Sequence, residues 1–240
     1  MAGSADLFRR TITLQRIDAG EVAGSVEDDF HHFALRLRHA GGMVTGIEAD
    51  AIRVPWTTCP GAAIPLRQLV GANLVERASD IGGMIDMRAQ CTHMFDLAGL
   101  LLALAWRGDP GCRYDAYVRI ADTPCAARLD RDGAAVLEWQ IADDCIAGAP
   151  PVPLGRGFRA WSETLTAMPA EHAFVLRRAV FVAGGRRERL DDVVSPDDLG
   201  LPVGACYSFD REIRQSARRV IGTQIDFAGM TGGAPDGWSS

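Results

Sequence analysis

The chain has 240 residues, 48% of them apolar and 23% charged, with a formal net charge of −6, the balance of a soluble globular protein long enough to bury a sizeable core. With no basic run to offset that charge, a nucleic-acid or anionic-membrane partner is disfavoured. All 25 basic residues are arginine, which excludes Schiff-base chemistry and a Walker A phosphate loop, since both require a lysine.

Met1 to Asp6 is polar and carries no signal peptide, so a cytoplasmic location is expected. Residues 8–18 alternate apolar and polar side chains, the strand period, and Ala19-Gly20-Glu21 turns the chain into a short partner strand over 22–26. In the next run Phe33, Leu35 and Leu37 share one face, with His32, Arg36 and Arg38 on the other. The adjacent His31 and His32 therefore point to opposite faces, and at most one of them lines any pocket. Gly41-Gly42 supplies a turn into a return strand over 45–54. Pairing Leu37 with Ile47, Leu35 with Ala49 and Phe33 with Ala51 keeps all six on the core side and sets Arg36 opposite Glu48. A slip of one residue would put Leu35 against Glu48, so the first register is predicted.

Pro55 and Pro60 make 53–60 a loop that holds Trp56 and Cys59. A short helix is predicted over 62–70, closed by Gly71. Residues 91–106 are apolar nearly all round and form the helix around which the fold is predicted to close. It is roughly 24 Å long, too short for a membrane span. Thr92 is its expected N-cap, and Leu97, Leu100, Leu101 and Leu104 its expected buried residues. A helix N-terminus favours negative charge and lowers a thiol's pKa. Cys91 and His93, at the mouth of this helix, are thus the leading candidates for chemistry, against a structural alternative in which both are simply buried.

Arg107 to Gly111 stops the helix. A strand follows over 113–121, then a hairpin of 126–129 and 135–141 across Asp130-Arg131-Asp132-Gly133. Residues 147–153 are a proline-rich linker. Two helices are predicted over 158–168 and 169–182, the second with Pro169 at its first position. Residues 206–221 are amphipathic and are assigned to helix in their later half, and 228–240 to a flexible tail. The expected fold is therefore α+β: antiparallel hairpins packed around a buried central helix, with further helices in the C-terminal third and one domain over 1–227. No G-x-G-x-x-G follows a strand, which disfavours a Rossmann nucleotide site.

None of the six cysteines forms a C-x-x-C pair. The one metal-like spacing is Cys91-x-His93, with Cys59 a distant third candidate. A protein with no metal and no cofactor is expected. The sequence leaves the oligomeric state open, a homodimer included.

Four motifs in order carry a resemblance: Glu27-Asp28-Asp29-Phe30-His31-His32-Phe33, Arg53-x-Pro55-x-x-x-Cys59, Leu66-x-x-Leu69-x-Gly71 and Cys91-Thr92-His93-Met94-x-x-Leu97. Together they resemble the bacterial domain of unknown function 2889 family and its Cys-Thr-His signature, with Gln90 and Met94 standing where Gly and Leu are usual. The family name implies no reaction. A weaker similarity, to γ-formaldehyde lyases of aromatic-degrading bacteria, implies release of formaldehyde from the hydroxymethyl group of a lignin-derived aromatic dimer, leaving a stilbene.

That chemistry needs a base for the hydroxyl proton and an acid or cation for the departing phenoxide. His93, or a histidine of the 31–32 pair, suits the base. Arg53 or Arg36 suits the phenolate, and Trp56 and Tyr117 an aromatic wall for a small flat substrate. The site is placed where the helix N-terminus meets the 55–59 loop and the polar end of the first hairpin, with His93 as acid/base, His32 and Arg53 as its polar partners, and Cys59 and Cys91 in the lining. The alternatives are a non-catalytic small-molecule-binding or assembly protein, or a zinc protein that uses Cys91 and His93.

Overall fold

The computed structural model describes residues 6–188, 190–235 and 238. The chain is a mixed α/β fold rich in antiparallel strand pairs. Its internal contacts gather into two compact units: residues 12–112 with 189–225, and residues 1–11, 113–188 and 226–240.

In the first of these units the strand order is β4-β3-β2-β1, where β1 is Leu7–Arg16, β2 Glu21–Glu27, β3 His32–Ala40 and β4 Met43–Arg53. The β3–β4 hairpin turns at Gly41 and Gly42, both at positive φ, where a side chain would be strained. Its register matches the apolar face read from the sequence, with Leu37 opposite Ile47, Leu35 opposite Ala49, Phe33 opposite Ala51 and Arg36 opposite Glu48. Phe33 and Leu37 are fully buried, and Arg36 and Arg38 are exposed.

Helix α1 (Thr92–Arg107) lies against β2 and β3. Cys91 is its N-cap residue, not Thr92, and makes no side-chain cap bond. Leu97, Leu100, Leu101 and Leu104 are each buried, whereas Trp106 at the last turn is half exposed. Gly108 closes the helix in the left-handed conformation. Two glycines set how close this layer comes. A Cβ on Gly24 of β2 would stand 3.1 Å from Leu97 Cδ1, and one on Gly99 would stand 2.4 Å from the Ala78 carbonyl oxygen. Between β4 and α1 the chain moves through short 3₁₀ turns, among them Cys59–Ala63 and Pro65–Leu69. The helix predicted over 62–70 does not form, because Pro60 and Pro65 lack the N–H groups a continuous helix would use.

In the other unit the order is β1-β5-β6-β7-β8-β9, with β5 Gly111–Ile120, β6 Pro124–Arg131, β7 Ala134–Ala142, β8 Cys145–Ile146 and β9 Val152–Pro153. The β6–β7 turn places Asp132 and Gly133 at positive φ, as the primed hairpin turns require. Helix α3 (Ala167–Ala183) packs on β6 and β7. It starts two residues before Pro169, at N-cap Thr166, and the proline sits in its first turn, where no N–H is needed. Helix α2 stops early, covering Phe158–Glu163: the hydroxyls of Ser162 and Thr164 donate to carbonyls three residues back and draw the chain off the helical path. Phe227–Met230 forms a last turn, α4. Trp238 is buried against Tyr117 and Ala126.

The helix assigned to the later half of 206–221 is absent. That stretch holds the 3₁₀ turns Tyr207–Phe209 and Ile213–Gln215 and a bridge at Arg219. Asp210 accepts the N–H groups of Glu212 and Ile213, a local turn that competes with helix formation.

Candidate functional site

The site is built on the turn between β2 and β3. Asp28 is fully buried, and its Oδ1 accepts the N–H groups of Phe30 and His31 at 2.9 Å each. The same oxygen lies 3.0 Å from His31 Nδ1. A carboxylate only accepts, so Nδ1 of His31 carries the hydrogen and donates it, and the neutral imidazole in this pairing keeps its lone pair on Nε2. This pairing orients the imidazole as a base would need to be oriented.

Helix α1 brings the second imidazole. His93, in its first turn, is nearly buried, and its ring stacks on His31 with centroids 3.8 Å apart and planes 29° apart. Phe33 stacks beside both rings, at 5.8 Å from His93 and 5.9 Å from His31. Phe30 meets His31 edge-on at 6.0 Å. Asp28, His31 and His93 thus form one enclosed acid–imidazole cluster with aromatic walls.

Arg53 holds the turn in place. Its guanidinium donates to the carbonyl oxygens of Asp28, Asp29, His31 and Thr223 and to Glu27 Oε1. Ile225 N–H also donates to the Asp29 carbonyl. Arg53 is therefore engaged by main-chain acceptors around the cluster, a positioning role. His32 begins β3 and is half-buried, with Nδ1 3.6 Å from Glu27 Oε1. The imidazole that meets His93 is that of His31.

Cys91 Sγ lies 3.9 Å from His93 Nδ1. Burial pushes the Cys91 thiol up to about 12, with Cys206 nearby adding to the rise, although N–H groups of Met94 and His93 pull the other way. The helix N-terminus does lower the thiol's pKa, as expected, but desolvation outweighs it, so Cys91 is a neutral thiol near pH 7. Burial likewise pushes the Cys59 thiol up to about 12, with Cys91 as the next cause. Its Sγ is 3.5 Å from Ser208 Oγ.

The other expected lining residues have partners of their own. Trp56 is buried edge-on against Phe209, 5.9 Å between ring centroids, and bridges to Arg219 through the backbone. Arg36 is on the exposed face of β3, ion-paired to Glu21, and with Thr13, Ser25, Glu48 and Asp50 it lines an open groove on that face. Tyr117 belongs to the other unit, where the Arg9 guanidinium sits 5.2 Å above its ring and Trp238 packs beside it.

A family model described as a protein of unknown function (DUF2889) matches residues 11–106. The matched segment contains the whole acid–imidazole cluster together with Arg53, Trp56, Cys59 and Cys91, and leaves out Tyr117. No curated protein and no solved structure matches the chain. Among the described residues no helix is long and apolar enough to cross a membrane. Sequence reasoning singled out His93 but took His32, not His31, as its partner, and passed over Asp28. The signal for Asp28 was its place three residues before a histidine in a turn between two strands, the spacing at which an Asx turn closes on the following N–H groups.

Proposed function

We propose that this chain is a carbon–carbon lyase that releases formaldehyde from the hydroxymethyl group of a lignin-derived aromatic dimer and leaves a stilbene. One observation carries the reading: a buried carboxylate paired at 3.0 Å to an imidazole that is itself stacked at 3.8 Å on a second imidazole. The substrate class comes from the family resemblance. His31, held by Asp28, takes the hydroxyl proton. The bond to the hydroxymethyl carbon breaks as formaldehyde forms, its electron pair becomes the stilbene double bond, and the phenoxide leaves and takes a proton from the imidazole pair. Asp28 stabilises the imidazolium that forms on His31, and Phe30 and Phe33 keep water from it.

The test incubates the purified protein with dimers that carry a free hydroxymethyl group and reads formaldehyde and stilbene together. Turnover is expected in the natural protein and a loss of about 100-fold or more in His31→Gln and His93→Gln with the fold retained. Undiminished turnover in both variants would remove the cluster from the chemistry.

A further inference from the structure

The groups that make the base also make a chelate. Asp28, His31 and His93 each offer one ligand atom, and the three atoms all lie within 4.8 Å of one another. Two imidazole nitrogens and one carboxylate oxygen are a donor set for borderline divalent ions such as zinc and cobalt, whereas magnesium and calcium prefer oxygen alone. Around a tetrahedral zinc ion such donors stand roughly 3.4 Å apart. The donor atoms are therefore at most about 1.4 Å further apart than such an ion needs, a gap closed by turning the two stacked rings.

The surroundings fit a ligand set. Asp28 is anchored by two backbone N–H groups, and the Arg53 contacts hold the turn from outside, the kind of outer support that orients ligating groups. The His31 side chain keeps 14% of its surface exposed and Asp28 none, so an ion would enter past His31 and rest against a buried charge.

We propose that Asp28, His31 and His93 form a binding site for one divalent transition-metal ion of the zinc class. This replaces the pairing of Cys91 with His93 that the sequence spacing suggested. The site shares its residues with the lyase reading, and an ion in it occupies the imidazole lone pairs, so the metal-bound form is not the form in which His31 acts as a base.

Full-length protein stripped with chelator is titrated with Zn2+ and, separately, Co2+, without substrate, by calorimetry and by the visible absorption of bound cobalt. One equivalent per chain is expected, with Zn2+ displacing Co2+ and Mg2+ displacing neither. His31→Gln and His93→Gln should each weaken binding at least tenfold, and Cys91→Ser should leave it unchanged. His31 is only partly buried, so its variant serves where His93→Gln fails to fold. Absence of stoichiometric binding, binding unaffected in the folded histidine variants, or binding lost in Cys91→Ser would each overturn the site. Formaldehyde release is assayed separately on the stripped protein: turnover without metal binding sinks this inference alone, and binding without turnover sinks only the lyase.

Discussion

Asp28 receives three polar contacts on a single oxygen, and contacts of this kind make a fully buried carboxylate tolerable. Arg53 completes the arrangement by donating to the carbonyl oxygens of Asp28, Asp29 and His31 in the turn and of Thr223 beyond it. Replacing Arg53 with Ala is expected to cost about 2–3 kcal/mol in urea unfolding, and a cost below about 0.5 kcal/mol would mean the clamp holds nothing. The thiols make a second prediction at this scale. Cys59 and Cys91 have folded-state values raised from the ordinary 9.0 to about 12. A group with a raised folded value contributes stability that is fully present below its unfolded value and is lost as pH rises toward the folded one. Stability should therefore fall from about pH 9 toward pH 12, and Cys91→Ala should flatten that fall. Equal alkaline slopes in both proteins would refute it.

At the scale of elements, the β3–β4 hairpin and α1 were both readable, for different reasons. The hairpin's register follows from a period of two, which leaves no second alignment that buries the same side chains. The α1 segment is apolar on all sides, a pattern that leaves burial as the one outcome in water. Leu101→Ala should cost about 2–5 kcal/mol by chemical denaturation, and a change near zero would show that the helix does not pack as the burial implies. Gly99→Ala tests the close approach on the other side of the helix. Its Cβ would meet the backbone oxygen of Ala78 at 2.4 Å, and backbone yields poorly, so about 1–3 kcal/mol of destabilisation is expected, in place of the slight gain Ala usually brings inside a helix. Residues 206–221 were misread because an amphipathic pattern records which side chains are buried and not which backbone bonds form. The Asp210 side chain decided those bonds in favour of a turn.

For the whole molecule, the two compact units are each assembled from pieces far apart in the chain, so composition shifts along the sequence do not announce them. In the unit that holds β5, Asp115 ties the start of β1 to β5 through Arg9, Thr11 and Arg113. Burial alone raises its carboxyl, but the hydrogen bonds from Arg113, Thr11 and Arg9 outweigh it and hold the group below the ordinary carboxylate range. A lowered folded value contributes stability that is present above the unfolded value of about 3.9 and is lost as pH falls through the folded one. Acid unfolding followed by circular dichroism should thus be shallower in Asp115→Asn below about pH 4, and a slope matching the natural protein would exclude the network from acid stability.

The sequence by itself determined the strand faces, the hairpin register and the position of the buried helix, because each depends on local period and on where apolar side chains must go. The sequence left open which of His31 and His32 faces a pocket, because His31 lies in the turn before β3, where the strand period does not reach. Only the tertiary structure decided that Asp28 and His31 are His93's partners and that Arg53 grips main-chain oxygens. Those outcomes depend on the packing of α1 against the β2–β3 turn, a contact between segments more than sixty residues apart whose geometry no local pattern encodes.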